Sequence, residues 1–308
     1  MTPTPETLDT TEPPLDMPAA PPRFNATRRF FSQFFRRPGG IAGVLILAAF
    51  GLLALLAPLF IGPEQLDVTK VDGPLLSGPS ADFLLGTDEN GRSILTMVAW
   101  GARTSLTVGV VATFMTMLIG SAVGLFAGHY QGAVGAGLMH LTDWFIVLPG
   151  LPLAISLSVV LGQGTLSIVI AIAVTSWTGT ARLVRAQTLA VEARPYVERG
   201  KALGAGNTQI MTRHVLPNVM PLILASSILT VGSAILAEAA LTFLGLGDPT
   251  TVSWGSMLNS AIAQGAVTIG AWWYLLTPGI AILLVVLGFT LTGRAIEQVL
   301  NPQLGTSR

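Results

Sequence analysis

Six apolar runs, each long enough to cross a bilayer, govern what this 308-residue chain can fold into: Ile41–Ile61, Ser105–Gly128, Leu138–Leu161, Leu166–Thr188, Met220–Leu246 and Ala271–Thr292. A helix of about twenty apolar residues spans the hydrocarbon layer. Helices also satisfy their own backbone polar groups, which lipid cannot do. The expected fold is therefore all-α and polytopic, with six transmembrane helices. Asp143, Pro149 and Pro152 interrupt the third run, and Arg182 and Arg185 enter the end of the fourth, so these two are the least sharply bounded. With 51% hydrophobic and 10% charged residues, the chain carries more apolar surface than one water-soluble core can hide.

Lys and Arg set the orientation. Arg23, Arg28, Arg29, Arg36 and Arg37 precede the first run; Arg182, Arg185, Arg194, Arg199, Lys201 and Arg213 surround the polar stretch between the fourth and fifth; Arg294 and Arg308 follow the last. The segment 62–104 has only Lys70, Arg92 and Arg103, and Asp248–Gly270 has none. Both termini and the polar stretch are thus expected in the cytoplasm. Residues 1–22, rich in Pro and Thr, are expected to be a disordered tail. Residues 23–40, "RFNATRRFFSQFFRRPGG", read as a membrane-surface segment with rings at the headgroups and charges on anionic lipid. The first run (41–61) is too long for a cleaved signal and stays as an anchor. Residues 62–104 form an external segment, 105–293 the helical core, and 294–308 a cytoplasmic tail.

The absences are as informative. The formal net charge is zero, so no basic field points to nucleic acid. There is no Cys, which excludes disulfides and thiolate chemistry. "RGKA" lacks both the earlier glycine and the following Ser or Thr of a phosphate-binding loop. No HExxH or GxSxG occurs, and His129, His140 and His214 are far apart. No catalytic residue, metal site or cofactor is expected in this chain. Any energy it uses must come from another one.

The polar stretch 189–218 contains "YVERGKALGAGNTQIMTRHVLPN". Pro195 suits the first turn of a helix, on which Tyr196, Gly200 and Leu203 share a face. Gly204-Ala205-Gly206 can supply the positive φ that ends it. Asn207 or Thr208 can cap a second short helix carrying Ile210, Met211 and Val215, stopped by Pro217. The product is a helix-turn-helix on the cytoplasmic surface with small residues at its apex. Two readings are open: a solvated connector, or a knob that docks into a groove on a soluble partner.

This stretch resembles the coupling loop, or EAA loop, of permease subunits in ABC-type importers. That pattern is Glu-Ala-Ala, three residues, Gly, nine residues, Ile, one residue, Leu-Pro. Here Glu198-Arg199-Gly200, Gly204, His214 and Leu216-Pro217 occupy its positions, with Arg-Gly for Ala-Ala and His for Ile. "LLGTDENGRSILTMVAWGARTSL" (84–106), "AILAEAALTFLGLG" (234–247), "VSWGSML" (252–258) and "FFRRPGGIAGVLIL" (34–47) resemble further segments of the second permease in the dipeptide, oligopeptide and nickel uptake group. "TGRAIEQVLNPQ" departs from it, with Arg294 and Asn301 where acids are usual.

The resemblance implies the type I importer permease fold in a bacterial plasma membrane. It also implies a second permease, two ABC ATPases carrying ATP and Mg, and an extracytoplasmic substrate-binding protein as partners. It assigns ATPase docking to Glu198, Gly200, Ala202, Leu203, Gly204, Leu216 and Pro217, with Glu198 orienting the loop by hydrogen bonding. It suggests an external contact for Gly86, Thr87, Asp88, Gly91 and Arg92, residues that otherwise read as turn formers. Peptides are the default substrate, with nickel, haem-like and glutathione-like compounds as alternatives. Gly120, Gly124 and Gly128 form a close-packing face, either within the chain or at a subunit interface. Glu238 should face protein or water, on the pathway, at the permease contact or in a structural hydrogen bond. Asp143 reads as a snorkelling or paired acid near the cytoplasmic end of its span. A secondary transporter or channel, or a non-transporting scaffold, are the competing functions.

Overall fold

The computed structural model describes residues 31–300. The expected tail 1–22, residues 23–30 of the basic segment, and 301–308 with Asn301 lie outside the described residues. The long helices are α1 (Pro38–Phe60), α2 (Ile94–His129), α5 (Thr165–Glu192), α7 (Asn207–Phe243) and α9 (Trp272–Leu300), each long and apolar enough to cross a membrane. Shorter ones are α3 (Ala133–Val147), α4 (Gly150–Leu161), α6 (Pro195–Ala202) and α8 (Trp254–Ala263).

The third predicted span is broken. α3 and α4 meet at a 90° bend. Pro149 forces it: the residue before a proline is pushed out of the helical region, and Leu148 is extended at φ −73°, ψ 129°. His129 at the end of α2 touches Glu192 at the end of α5, so both helices finish on one side. α3 leaves that side, and α4 ends just before Thr165 opens α5 on the other. The bent pair is thus one crossing, and the crossings among the described residues number six. The start of α1 and the end of α9 accordingly meet, with Arg37 donating to Gln298 and Gly43 lying against Gly288 and Thr292. The arginine distribution places this side in the cytoplasm.

Two boundaries move. α2 begins at Ile94, well before the expected Ser105, so the external segment ends near 93 rather than 104. The extra turns are protein-buried: Ile94, Met97, Val98 and Ala102 join Trp254, Met257 and Tyr274 in one core cluster. Arg103, exposed on the other face, breaks the hydropathy run without breaking the helix. At the far end α9 continues to Leu300, so Arg294 lies on a helix and not in a tail.

The Gly120, Gly124 and Gly128 face is filled by α5 of the same chain. A Cβ there would sit 2.6 Å from the Thr180 Cβ, 2.8 Å from the Val184 Cβ and 2.6 Å from the Thr188 Cβ. The two backbones approach too closely for any side chain, which is the use of such a stripe in lipid.

α8 occupies a stretch for which the sequence suggests only an outer loop. Ser253 caps it reciprocally: its hydroxyl accepts from the Ser256 N–H at 3.2 Å, and the Ser256 hydroxyl accepts from the Ser253 N–H at 2.9 Å. Trp254 is wholly buried, and its ring N–H donates to the Val98 carbonyl at 3.0 Å.

Candidate functional site

The cytoplasmic hairpin is built as its sequence suggests at the turn, and differently on either side. Pro195 opens α6, and Gly204 ends it at φ +85°. The Ala205 N–H donates to the Gly200 carbonyl at 3.0 Å and the Gly204 N–H to the Lys201 carbonyl at 3.0 Å, the paired bonds of a Schellman cap. The second arm starts at Asn207 with Gly206, not Asn207 or Thr208, at its cap position. Nor does Pro217 stop this arm. Met211–Val215 form a π-helical turn in which the Leu216 N–H reaches back to the Met211 carbonyl. Such a turn shifts the hydrogen-bond register, so the proline ring fits. The Asn218 side chain supplies another donor, to the His214 carbonyl at 2.6 Å. Arm and span are one continuous helix, α7.

Three buried apolar residues hold the hairpin down. Val197, Ile210 and Val215 join Leu125, Val184 and Val191 in an inner core cluster. Full burial of each is worth about 1.5–3 kcal/mol. Leu203 points the other way and is 88% exposed. Glu198, Ala202, Gly204 and Pro217 are also exposed, while Gly200 and Leu216 are half-buried. Among the described residues, nothing beyond the adjoining backbone lies within 4 Å of where a Cβ would stand on Gly200, Gly204 or Gly206. The apex is thus a convex surface of small residues around one leucine, over a fixed base.

A charged clasp reinforces that base. Glu192, with its side chain 4% exposed, accepts from Lys201 of α6 through one oxygen. Its other oxygen meets the His129 Nδ1 at 2.6 Å. One buried carboxylate thereby ties the ends of α2 and α5 to the hairpin. Glu198, expected to orient the loop, has no side-chain partner among the described residues. Glu192, six residues earlier at the end of α5, ties the loop to the bundle instead. His129 and Glu192 are 63 residues apart, so no local pattern announced the pair.

On the outer side the turn at 86–92 is inward-looking. Thr87 and Asp88 are fully buried, and Gly86 and Gly91 are buried with them. One Asp88 oxygen accepts from the Asn90 and Arg92 N–H groups at 2.9 and 2.7 Å, and the other pairs with the Arg92 side chain at 2.7 Å. The Thr87 carbonyl accepts from the Trp273 ring N–H at 3.3 Å. Of the residues expected to make an external contact, Gly86, Thr87, Asp88 and Gly91 have no exposed side chain to offer, while Arg92 lines an outer cleft, partly exposed and paired with Asp88. They build the turn, and Leu84 beside them is what it exposes.

Glu238 lies near the outer end of α7, little more than a turn before Phe243, and not at the membrane centre. It is 1% exposed. The Thr242 hydroxyl bonds its carbonyl at 2.9 Å and approaches Oε1 at 3.4 Å. Asp143 pairs with Arg182 at 2.7 Å across α3 and α5, both about half exposed.

Residues 120–305 match the family described as "Binding-protein-dependent transport system inner membrane component". The chain is 38% identical to the di/tripeptide transport system permease protein DppC of Pseudomonas aeruginosa, over 90% of this chain and 92% of that one. It is 35% identical to the dipeptide transport system permease protein DppC of Bacillus subtilis (92% and 88%), and 33% to the glutathione transport system permease protein GsiD of Pectobacterium atrosepticum (90% and 91%). In fold it is similar to a chain of the MetNI methionine ABC transporter in an inward-facing conformation, at TM-score 0.53 and 19% identity, covering 65% of this chain and 94% of that one. The chain belongs to the binding-protein-dependent transport system inner membrane components: it is a non-catalytic permease subunit of an ABC-type importer.

Proposed function

We propose that the chain is the second permease of a peptide importer, and that its cytoplasmic hairpin is the surface through which ATPase subunits drive it. In this reading a partner permease completes the pathway, two ATPases bind below, and a binding protein delivers substrate from outside. The peptide assignment is supported by relatives whose names specify dipeptides and tripeptides. The observation that carries the coupling role is the hairpin itself: an exposed apex of small residues and Leu203 over a base locked by Val197, Ile210 and the Glu192 clasp. A knob anchored in this way transmits a push to α2, α5 and α7 together, which a solvated connector cannot do. Glu198, Gly200, Ala202, Leu203 and Gly204 form the contact surface, and Leu216 and Pro217 join it to the span.

The test is affinity purification of the chain from gently solubilised membranes, with mass spectrometry of what accompanies it and trialanine uptake by the reconstituted assembly. A second permease and P-loop ATPases should co-purify, and ATP should drive uptake. Gly204→Leu should leave the chain folded while hydrolysis no longer moves substrate. A chain that purifies alone and still carries trialanine would overturn the reading.

A further inference from the structure

The outer face carries a cleft of about 840 Å³, lined by the start of α2, the start of α5, Leu66 and Asp67, the loop after α7 and the start of α8. Its charges are of both signs. Arg103, stacked over Trp100 with its guanidinium carbon 5.6 Å from the ring centroid, stands on the rim. Asp67 and Asp248 are engaged locally: each accepts from the backbone and hydroxyl two residues on, Thr69 and Thr250 respectively. Those bonds hold both carboxyls below their usual range.

The cleft adjoins a recess of about 10 Å³, which shares Thr104, Thr242, Thr251 and Asp248 with it and is lined in addition by Glu238 and Ser253. Glu238 Oε2 has no hydrogen-bond partner among the described residues. The hydroxyls of Ser105, Ser253 and Thr242 lie around the carboxyl without closing a full bond to that oxygen, and a buried carboxylate oxygen with no counter-charge is costly. The recess that Glu238 lines has room for one water-sized group, which fits a primary ammonium and excludes a guanidinium or a ring.

We infer that this recess receives the N-terminal ammonium of a short peptide entering the pathway, with Glu238 as its counter-ion and Arg103 on the rim facing the peptide's carboxylate. The inference rests on the peptide reading above and adds a station for substrate on this chain, separate from the binding protein. The hydroxyls of Thr104, Thr242, Thr251, Ser253 and Ser256 and the carboxyls of Glu238 and Asp248 line the recess, an acceptor-rich wall that suits an N–H₃⁺ group, which needs three acceptors.

The test uses the assembled transporter in nanodiscs without its binding protein, titrated calorimetrically with trialanine and N-acetyl-trialanine. Wild type should bind the free peptide at least about tenfold more tightly. Glu238→Gln, which keeps the shape and removes the charge, should bring that ratio close to one. Thr104→Val should lower it by about threefold with the carboxylate intact, and it decides the matter should Glu238→Gln not assemble. An unchanged ratio in these variants, or none in wild type, overturns the recess and leaves it a water site. Trialanine uptake with the binding protein present is scored separately. Its absence in wild type sinks the peptide reading, whereas normal uptake with no N-terminal preference sinks only the recess.

Discussion

The cytoplasmic hairpin and the outer turn are both glycine-rich, charged interruptions between apolar spans, yet they are built in opposite senses. The hairpin turns its motif outward. Leu203, Gly204 and Gly206 are exposed, and residues outside the motif, Val197, Ile210 and Glu192, bury themselves to support it. The outer turn swallows its motif: Thr87 and Asp88 are spent on internal bonds. A recognisable pattern therefore marks a constrained backbone in both places, and only burial tells whether it is a surface or a strut.

Substitutions can break this contrast, because stability and coupling should respond in opposite order. The largest loss of stability is expected from Asp88→Leu. It leaves the Arg92 guanidinium and two N–H groups without their acceptor, and removing one partner of a buried pair costs about 3–5 kcal/mol. Thermal unfolding of the solubilised subunit should show it, together with low accumulation in the membrane. Glu192→Gln comes next. It weakens the bonds to His129 and Lys201 at about 1–3 kcal/mol, and should lower the uptake achieved per ATP hydrolysed even where the protein accumulates normally. Retention of full coupling would mean that the clasp is only a structural fixture.

Gly204→Leu should cost about 1 kcal/mol through its positive φ, yet abolish coupled uptake. Gly204→Asn separates the causes: asparagine tolerates that backbone, so it should restore stability and only part of the transport. Leu203→Ser should change stability by less than about 0.5 kcal/mol, as expected for an exposed position. Its effect belongs in ATPase retention during purification. If Leu203→Ser kept the ATPases and Asp88→Leu lost them at normal stability, the roles of the two regions would be reversed.

Much of this was legible in the sequence. The six crossings follow from run length, and the hairpin follows from Pro195 and Gly204, because proline and glycine act through the backbone of their own neighbourhood. Other features resisted for equally physical reasons. The His129–Glu192–Lys201 clasp joins residues distant in sequence, and nothing local to any of them signals a partner. Helix α8 was hidden because Ser253-Trp254-Gly255-Ser256 looks like a polar loop until Ser256 is seen to complete the cap. Thr87 and Asp88 read as tip residues because a turn uses the same side chains whether it faces water or protein. Pro217 misled because its usual helix-breaking effect is cancelled by the wide turn just before it.

That wide turn also sets a phase. In an unbroken α-helix, five residues advance by about 500°, which would throw Ile210 some 140° out of line with Val215. Both belong to the same inner core cluster, together with Val219 and Ile223. Closing one turn with a bond from Leu216 back to Met211 brings Ile210 round over Val215. The inserted residue acts like a key on a shaft, fixing the angle at which the hairpin is mounted on the span. Deleting Thr212 would leave every contact residue present but mistimed by one step, so that a stroke delivered at the apex would reach the wrong face of the bundle.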